Sequence, residues 1–285
     1  MKLVAIVSKP EKPELVLIVP ELIQWLQHRG YDIVIDSETA RYIPGSADVV
    51  ERAELASRKP ELLIVLGGDG TLLSGARAVA PLSTQILGVN LGSLGFLTEV
   101  PIEDLYQMLE AVHSGECEAD NRSMLHAMLV RGETVLSEFH ALNDAILSKS
   151  TIARLVSFEI VINNEFVSSY RGDGLIVSTP TGSTAYSLAA GGPILTPSVD
   201  GIVISPICPH ALSYRPVVVP DHVEIEIRVR NADDEAYLSI DGQIGIPVHQ
   251  GDKLVCRKSP YRTHLLRLRK TFFEVLRTKL KWGQK

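Results

Sequence analysis

Residues 62–71 read Leu-Leu-Ile-Val-Leu-Gly-Gly-Asp-Gly-Thr and carry the clearest structural signal in the chain. Five consecutive apolar residues are typical of a strand that is buried on both faces, as in a parallel sheet. The glycines that follow let the backbone approach a phosphate closely. Thr71 can cap the helix that begins after the turn, and the amides at that helix N-terminus favour an anion. Asp69 would then lie at the carboxyl end of a parallel strand, where open α/β sheets bind their ligands.

Further strands and helices alternate on both sides of this stretch. Apolar runs at residues 3–7, 31–35 and 85–89 predict three more buried strands, and helical patterns separate them, the second at residues 49–57. Strands that alternate with helical crossovers form a parallel sheet covered by helices. We therefore predict a Rossmann-like parallel α/β domain over residues 1–100, and this domain carries the glycine-rich turn.

After about residue 100 the pattern becomes that of an all-β domain. A helix is predicted at residues 102–113, and short alternating stretches then follow one another with turn signals between them and no long helix. This is typical of a mostly antiparallel fold. We predict an antiparallel β-sandwich-like domain over residues 101–265, and a C-terminal helix over residues 266–285 that returns to the N-terminal domain.

The C-terminal tail differs from the rest of the chain in charge. Residues 257–285 contain ten Lys or Arg residues and one acidic residue, Glu274. Apolar side chains at Phe272, Val275 and Leu276 fall at helical spacing, which predicts a basic amphipathic helix. Such a helix can bind a membrane or a nucleic acid, but we expect a closing helix that docks on the rest of the fold.

The composition and the net charge argue against several classes of protein. The chain has 285 residues, of which 45% are hydrophobic and 22% charged, as in a globular protein. Its formal net charge of −6 argues against a nucleic-acid coat or a polybasic membrane binder. Three widely separated cysteines give no disulfide framework, and the N-terminus does not resemble an export signal. We therefore expect a cytoplasmic protein without nucleic-acid or membrane partners.

Two further stretches have the chemistry of a nucleoside site. The pair Asn143-Asp144 combines an amide, which can read a base edge, with a carboxylate that can bind sugar hydroxyls, although an Asx turn explains the pair equally well. Residues 171–187 begin with Arg-Gly-Asp-Gly and continue with hydroxyls, glycines and one aromatic, without further charge. That composition suits a pocket for a flat heteroaromatic ring. Tyr186 could pack on a purine, and an ordinary core position is the alternative.

These motifs resemble those of the NAD kinase family. The matching pieces, in family order, are residues 67–71, 88–97, 143–144, 173–188 and 239–243. The first piece also occurs in diacylglycerol and sphingosine lipid kinases and, more loosely, in 6-phosphofructokinases. The stretch 174–188 is much more specific, and the resemblance covers most of the chain.

The resemblance implies an enzyme that transfers the γ-phosphoryl group of ATP to the 2′-hydroxyl of the adenosine ribose of NAD, giving NADP. It implies Asp69 as the proton acceptor, and it implies a homodimer or a homotetramer. By the same resemblance, the residues that bind the substrates are Gly67, Gly68, Gly70, Thr71, Asn143, Asp144, Arg154, Arg171, Asp173, Thr184, Ala185, Tyr186, Ser187, Leu188, Ala189 and Gln243.

Within that set the resemblance assigns separate roles. The glycines of the turn make room for phosphates, while Asn143 and Asp144 hold adenosine and nicotinamide-ribose groups. Asp173 binds the carboxamide end of the dinucleotide, and residues 184–189 line the adenine site. Arg171 and Arg154 are implied as basic contacts to the dinucleotide, and a bulky base at position 171 resembles the variants that prefer NAD to NADH.

The chemistry of phosphoryl transfer is compatible with one aspartate as the base. An aspartate with a pKa near ~3.9 is too weak to deprotonate an alcohol in advance. Because the transition state is loose, the base needs only to orient the hydroxyl and accept its proton late. A divalent ion, Mg²⁺ or Mn²⁺, must neutralise the ATP phosphates. The sequence has no visible cage of carboxylates, so we expect this ion to be held mainly by nucleotide phosphates and water.

Two other functions stay open on the sequence alone. A kinase of the same superfamily could act on a lipid or sugar hydroxyl, although the acidic body and the polar stretch 178–187 do not suggest a membrane-facing surface. A non-catalytic NAD sensor would have no use for a base at Asp69. His210 and Cys208 are weaker candidates for a role in the site, and Asp241 either caps a turn or contacts a ligand.

Overall fold

The structure of the protein, a computed structural model, describes residues 2–43, 45, 48–149, 155–211, 213–230, 236–267 and 271–281. The chain forms two compact units. Unit 1 contains Met1–Asn121 and Arg262–Lys285, and unit 2 contains Arg122–Tyr261. Within the described residues, no helix is long and apolar enough to cross a membrane.

Helices and strands alternate in the first part of the chain, and strands dominate the rest. The helices are α1 (Leu15–His28), α2 (Leu55–Arg58), α3 (Asp69–Val79), α4 (Leu105–Ser114), α5 (Tyr186–Ala189) and α6 (Phe272–Leu280). The strands are β1 (Leu3–Ser8), β2 (Asp32–Asp36), β3 (Asp48–Val50), β4 (Leu62–Leu66), β5 (Gln85–Asn90), β6 (Val100–Pro101), β7 (Glu118–Arg131), β8 (Thr134–Ala141), β9 (Asp144–Lys149), β10 (Val156–Ile162), β11 (Glu165–Gly172), β12 (Gly174–Ser178), β13 (Gly201–Ile207), β14 (Val217–Pro220), β15 (Ile225–Val229), β16 (Ala236–Ile240), β17 (Ile244–Val248) and β18 (Asp252–Arg267).

Unit 1 is built on a parallel sheet. Its strand order is β18-β5-β4-β1-β2-β3, and each neighbouring pair is parallel. Every residue of β4 is buried, as its continuous apolar sequence predicts. On α1, Leu15, Val19, Leu22 and Leu26 form one buried face that packs in the same core as the strands. The predicted N-terminal α/β fold is confirmed.

The helix predicted at residues 49–57 is wrong over its first half. Asp48–Val50 form β3 and pair in parallel with residues 34–36 of β2. A 3₁₀ turn at Arg52–Glu54 follows, and α2 is only four residues long. The two valines of β3 are β-branched and suit a strand, and pairing with a neighbouring strand overrides a weak local helical pattern.

Unit 2 contains antiparallel sheet around one core. The pairs β11-β10, β10-β15, β15-β18 and β7-β8 are antiparallel, and so is every pair of a second sheet in the order β14-β13-β12-β9-β16-β17. Residues of both groups of strands, such as Phe158, Ile227, Leu175, Ile204 and Leu238, share one buried cluster. The predicted antiparallel, sandwich-like fold is confirmed.

The compact units divide the chain after Asn121 and Tyr261, whereas the predicted domains divide it after residues 100 and 265. Unit 1 includes α4 because this helix buries Leu105 and Met108 in the core of that unit. The change from a helical to a β pattern along the sequence therefore begins some residues before the change of unit.

The basic tail combines two elements: residues 257–267 are the end of β18, and Phe272–Leu280 form α6, which belongs to unit 1. The single acidic residue of the tail, Glu274, lies in the first turn of α6 and pairs with the N-cap residue Thr271. The Glu274 N–H donates to the Thr271 hydroxyl at 3.3 Å, and the Thr271 N–H donates to the Glu274 carboxylate at 2.6 Å. This is a capping box, which satisfies two of the unpaired amides of a helix start. Val275 and Leu276 are buried, so the predicted C-terminal helix is confirmed, although residues 266 and 267 of its predicted range belong to β18.

Candidate active site

In unit 1, Asp69 follows the two-glycine turn after β4 and is the first residue of α3. The turn requires glycine at position 67, because a Cβ there would lie 2.5 Å from the Thr71 hydroxyl oxygen. Thr71 does not cap the helix as predicted: Gly68 occupies the N-cap position, and Thr71 lies in the first turn. The glycines still lie at a helix N-terminus, where main-chain amides favour an anion.

The loop that follows β5 holds the Asp69 carboxylate. Its Oδ2 atom accepts the N–H of Phe96 at 2.8 Å, and its Oδ1 atom accepts the N–H groups of Leu97 at 3.1 Å and Thr98 at 3.0 Å. The Thr98 hydroxyl donates to Oδ1 as well, at 3.0 Å. Oδ1 thus has three donors, whereas Oδ2 has one and keeps room for another. The carboxylate is fixed in orientation, with Oδ2 as the oxygen that can accept a further donor.

Sequence reasoning missed the residues that fix Asp69. A Cβ on Gly95 would lie 2.0 Å from Asp69 Oδ1, so the loop can approach the carboxylate only with glycine at this position. The sequence feature that could have indicated this loop is the family-like piece 88–97, which contains Gly95 and is directly followed by Thr98. A pattern of glycines alone does not reveal which side chain the loop encloses.

In unit 2 the Asn143-Asp144 pair lies at the start of β9, where Asp241 and Thr179 bind its main chain. Asp241 Oδ1 accepts the N–H groups of Asn143 at 2.7 Å and Asp144 at 3.1 Å, and Oδ2 accepts that of Leu142 at 3.2 Å. The Thr179 N–H donates to the Asn143 carbonyl at 2.9 Å, and the Thr179 hydroxyl donates to the Leu142 carbonyl at 2.6 Å. Asp241 therefore binds main-chain amides of a segment that is far away in the sequence.

The carboxyl group of Asp144 titrates in an unusual range. The residue is only 3% exposed. Burial, reinforced by the negative charge of Asp241, raises the pKa of Asp144 to about 7. Near neutral pH this side chain can therefore accept hydrogen bonds from sugar hydroxyls as a carboxylate, or donate one as a carboxylic acid.

The predicted adenine-binding segment lies next to this pair. A Cβ on Gly182 would lie 2.2 Å from the Asn143 carbonyl oxygen, so the turn just before the segment packs directly on that main chain. Tyr186 is 46% exposed, which excludes the core alternative within unit 2 and leaves a ring face able to stack. Ser187 is buried, and its hydroxyl lies 2.9 Å from that of Ser205. The partly or fully exposed members of the segment are Thr184, Ala185, Tyr186, Leu188 and Ala189.

Of the remaining predicted residues, Gln243 lies near Asp144, whereas Asp173 and Arg171 lie toward the opposite end of the paired strands β9 and β12. Asp173 forms an ion pair with Lys149 Nζ at 2.7 Å, and sequence reasoning missed this lysine. Arg171 is exposed at the end of β11, and Gln243 is exposed in the turn after β16. Arg154 lies outside the described residues.

One cluster in unit 2 has the residue types of a metal site. Within the described residues, the potential ligand atoms of His126, Glu138 and His140 lie within 4.8 Å of one another. However, Arg257 Nε donates to His126 Nδ1 at 3.0 Å while His126 Nε2 contacts Glu138, so both ring nitrogens of His126 have partners. The Ser259 hydroxyl lies 2.9 Å from His140 Nδ1. With a guanidinium beside it, this cluster is a hydrogen-bonded network.

The glycine-rich turn with a fixed aspartate in unit 1 and the polar groups around Asn143-Asp144 in unit 2 are the chemistry expected of a nucleotide-dependent phosphotransferase. Family models agree with both units: the ATP-NAD kinase N-terminal domain matches residues 4–117, and the ATP-NAD kinase C-terminal domain matches residues 142–268. The chain belongs to the NAD kinase family, which confirms the resemblance drawn from the motifs.

Individual relatives match over the whole chain. The NAD kinase of Koribacter versatilis is 54% identical and that of Acidobacterium capsulatum is 50% identical, each with full coverage of both chains. A crystal structure of yeast NADH kinase complexed with NADH has a TM-score of 0.90 at 26% identity and covers 100% of this chain and 89% of the yeast chain. An NAD kinase from Archaeoglobus fulgidus in complex with ATP shares the fold, with a TM-score of 0.76 at 23% identity and coverage of 97% and 99%.

Proposed function

We propose that the protein transfers the γ-phosphoryl group of ATP to the 2′-hydroxyl of the adenosine ribose of NAD, releasing NADP and ADP. The observation that carries this proposal is the Asp69 carboxylate, which four donors hold at the end of a parallel strand while Oδ2 keeps room for another donor. Membership of the NAD kinase family supports the reaction class and both substrates.

In the proposed step, Asp69 acts on the acceptor hydroxyl. The 2′-hydroxyl donates a hydrogen bond to Oδ2, its oxygen attacks the γ-phosphorus, and the bond between that phosphorus and the β,γ-bridging oxygen breaks. The hydroxyl proton passes to Oδ2 as the new bond forms. A fixed carboxylate suits this late transfer, because in phosphoryl transfer most of the catalysis is positioning and charge stabilisation.

We propose that a divalent metal ion, Mg²⁺ or Mn²⁺, accompanies ATP and neutralises the charge on its phosphates. Asp69 can bind such an ion only through Oδ2, because N–H and O–H donors occupy Oδ1. Magnesium commonly keeps several water ligands and binds nucleotide phosphates. The chemistry of the donor set therefore fits an ion carried mainly by the nucleotide and water.

We propose that unit 2 recognises NAD. The Asn143 amide and the Asp144 carboxyl group can hydrogen-bond base and ribose groups, and the exposed ring of Tyr186 can stack on adenine. Asp173 would bind the carboxamide end, with Lys149 holding its carboxylate. The other predicted contacts in this unit are Arg171, Thr184, Ala185, Ser187, Leu188, Ala189 and Gln243, although the buried Ser187 hydroxyl favours a supporting role for that residue.

Two further features belong to the proposal. Because ATP and NAD are cytoplasmic metabolites, we place the protein in the cytoplasm. We also propose a homodimer or a homotetramer, and the exposed valines Val217 and Val218 on β14, the edge strand of a sheet, suit such an interface. Light scattering on the purified protein measures the oligomer number, and a monomer at micromolar concentration would contradict it.

The experiment that tests the function is NADP formation from NAD and ATP with Mg²⁺. Parallel reactions replace ATP by inorganic polyphosphate, NAD by NADH, and Mg²⁺ by Mn²⁺ or by a chelator. We expect NADP with ATP and a divalent ion, and no product with the chelator. If NAD binds in calorimetry but no NADP forms with any donor or ion, the protein is a sensor or acts on another hydroxyl. A screen of lipid and sugar acceptors then separates those two.

A further inference from the structure

Asp241 lies in a turn whose backbone is unusual for a residue other than glycine. Its φ angle is +50°, in the left-handed region, and the following Gly242 also has a positive φ of +65°. Asp-Gly is a preferred pair at the two central positions of a type I′ turn, where both residues have positive φ, and the Gln243 N–H donates to the Ile240 carbonyl oxygen at 2.9 Å across this turn. The residue is only 6% exposed, although it follows the end of β16 in a hairpin turn. A carboxylate that is buried in a hairpin turn needs hydrogen-bond donors, which indicates a specific structural demand at this position.

That demand is the main chain before β9. The Asp241 carboxylate accepts the N–H groups of three consecutive residues, Leu142, Asn143 and Asp144. In return, the Asp241 N–H donates to the Asp144 carbonyl oxygen at 2.9 Å. Each of these bonds joins groups that are more than ninety residues apart in sequence, so they fix the segment in space rather than locally. The carbonyl groups of residues 142 and 143 are bound from the other side by Thr179.

We propose that Asp241 is a positioning residue for the dinucleotide: by clamping the main chain at residues 142–144, it sets the places from which the Asn143 and Asp144 side chains bind NAD. Asp241 itself directs both carboxylate oxygens at main-chain amides, so it acts through these two residues. This inference rests on the proposed function, because it assumes that unit 2 binds NAD. It adds to that function the residue that holds the binding pair in place.

The charge of Asp241 gives the proposal a second readout. Two elements flank Asp144 in the sheet: β12 places the neutral Ser178 opposite it, and the turn after β16 brings Asp241. The negative charge of Asp241 adds to burial in raising the pKa of Asp144. Loss of that charge would lower the pKa of Asp144, so that its carboxylate form would persist to lower pH.

Two variants weaken the contacts of Asp241 in two steps. Asp241→Asn can keep Oδ1 as the acceptor for Asn143 and Asp144, but it loses the charge and cannot accept the Leu142 N–H. Asp241→Ala loses all three acceptors. We expect KM for NAD to rise by about three- to tenfold in Asp241→Asn and by more than about tenfold in Asp241→Ala. KM for ATP should change by less than about twofold in Asp241→Asn, since ATP does not depend on this segment in the proposal.

Asp252→Asn is the matched control. Asp252 is likewise a buried aspartate beside a turn of unit 2, and it binds the His249 N–H and the Arg131 side chain. This variant measures the general effect of losing a buried carboxylate, and we expect KM for NAD to stay within about twofold of wild type. If Asp241→Ala does not fold, Asp241→Asn carries the test alone, with its thermal melting curve as the check on folding.

The pH profile distinguishes positioning from a general structural effect. In wild type, KM for NAD should rise as the pH falls through about 7, and in Asp241→Asn the rise should begin at lower pH. Equal changes in KM for NAD and ATP, or changes no larger than those of Asp252→Asn, would overturn the proposal. If wild type makes no NADP, calorimetry of NAD binding reports on Asp241 separately. Weaker binding in Asp241→Asn would then support the clamp while the proposed reaction fails.

Discussion

Asp69 in unit 1 and Asp144 in unit 2 are fixed in opposite ways. The carboxylate oxygens of Asp69 accept four hydrogen bonds from the loop at residues 96–98, whereas the structure holds Asp144 by its main chain through Asp241. Asp69 is partly exposed, and Asp144 is buried next to a second carboxylate. Hydrogen-bond donors surround the Asp69 side chain, whereas the Asp144 side chain lies near the negative charge of Asp241.

This difference separates two tasks that one residue type can perform. A carboxylate that four donors fix in orientation is suited to receive a proton in a single geometry, with no reorganisation during the reaction. A buried carboxyl group with a raised pKa, held by its backbone, can change its protonation state with pH or with the ligand. This difference supports the proposed roles, the chemical step for Asp69 and recognition for Asp144, and the following variants test them.

The largest effect is expected from Asp69→Asn. An asparagine can keep its oxygen toward the three donors at Oδ1, but its amide nitrogen cannot accept a proton at the Oδ2 position. We expect kcat to fall by about 10²- to 10⁴-fold, while the dissociation constant for NAD stays within about tenfold. Steady-state kinetics and calorimetry measure the two quantities. Near-normal turnover would show that Asp69 is not the base.

Gly95→Ala tests whether the orientation of Asp69 matters as well as its presence. The new methyl group would lie 2.0 Å from Asp69 Oδ1, and four hydrogen bonds prevent that carboxylate from moving aside freely. We expect kcat to fall by about 10- to 100-fold, because small misplacements of catalytic groups are costly. Gly92→Ala is the control in the same loop, since the nearest atom to its Cβ would be 4.0 Å away. Equal effects of both variants would contradict the role of the clamp.

These two variants also mark where sequence reasoning succeeded and where it did not. The strand, turn and helix around Asp69 were predictable, because continuous apolar runs and glycines report on local structure. The hydrogen bonds from Phe96, Leu97 and Thr98 were not, because they join residues 27 to 29 positions apart across the ends of two strands. The register of β4 against β5, which brings the loop to Asp69, is a property of the whole sheet.

The same limit applies in unit 2. The sequence identified Asn143 and Asp144 as nucleoside-binding candidates by residue type, but it left Asp241 between a cap and a ligand contact. The clamp joins residues 97 to 99 positions apart and arises from pairing of β9 with β16. Lys149 was missed for the same reason, since its contact with Asp173 depends on the pairing of β9 with β12. The helix predicted at residues 49–57 was wrong at its start, because pairing of β3 with β2 overrides the local helical pattern there.

Tyr186→Ala tests the recognition side of the comparison. An exposed aromatic ring that stacks on adenine contributes about 1–3 kcal/mol, so we expect KM for NAD to rise by at least about fivefold with little change in kcat. Phe166→Ala is the control: Phe166 is 61% exposed, near the start of β11 at the end away from Gly172. Equal increases in KM for NAD and ATP in the Tyr186 variant would place the ring outside the NAD site.

The smallest expected change is that of Asp144→Asn, and it is seen best in the pH dependence. With its pKa raised to about 7, Asp144 in wild type is mostly ionised at pH 8 and mostly protonated at pH 6. The ionised form accepts hydrogen bonds from ribose hydroxyls and attracts the positively charged nicotinamide ring, so KM for NAD should rise by up to about tenfold from pH 8 to pH 6. An asparagine side chain does not titrate in this pH range.

In Asp144→Asn we therefore expect KM for NAD to be about three- to tenfold higher than in wild type at pH 8 and nearly constant down to pH 6. Because the proposed chemical step uses Asp69, the pH profile of kcat should stay close to that of wild type. A wild-type KM for NAD that does not vary between pH 6 and pH 8 would show that Asp144 keeps one protonation state, and the contrast between the two aspartates would then be one of position alone.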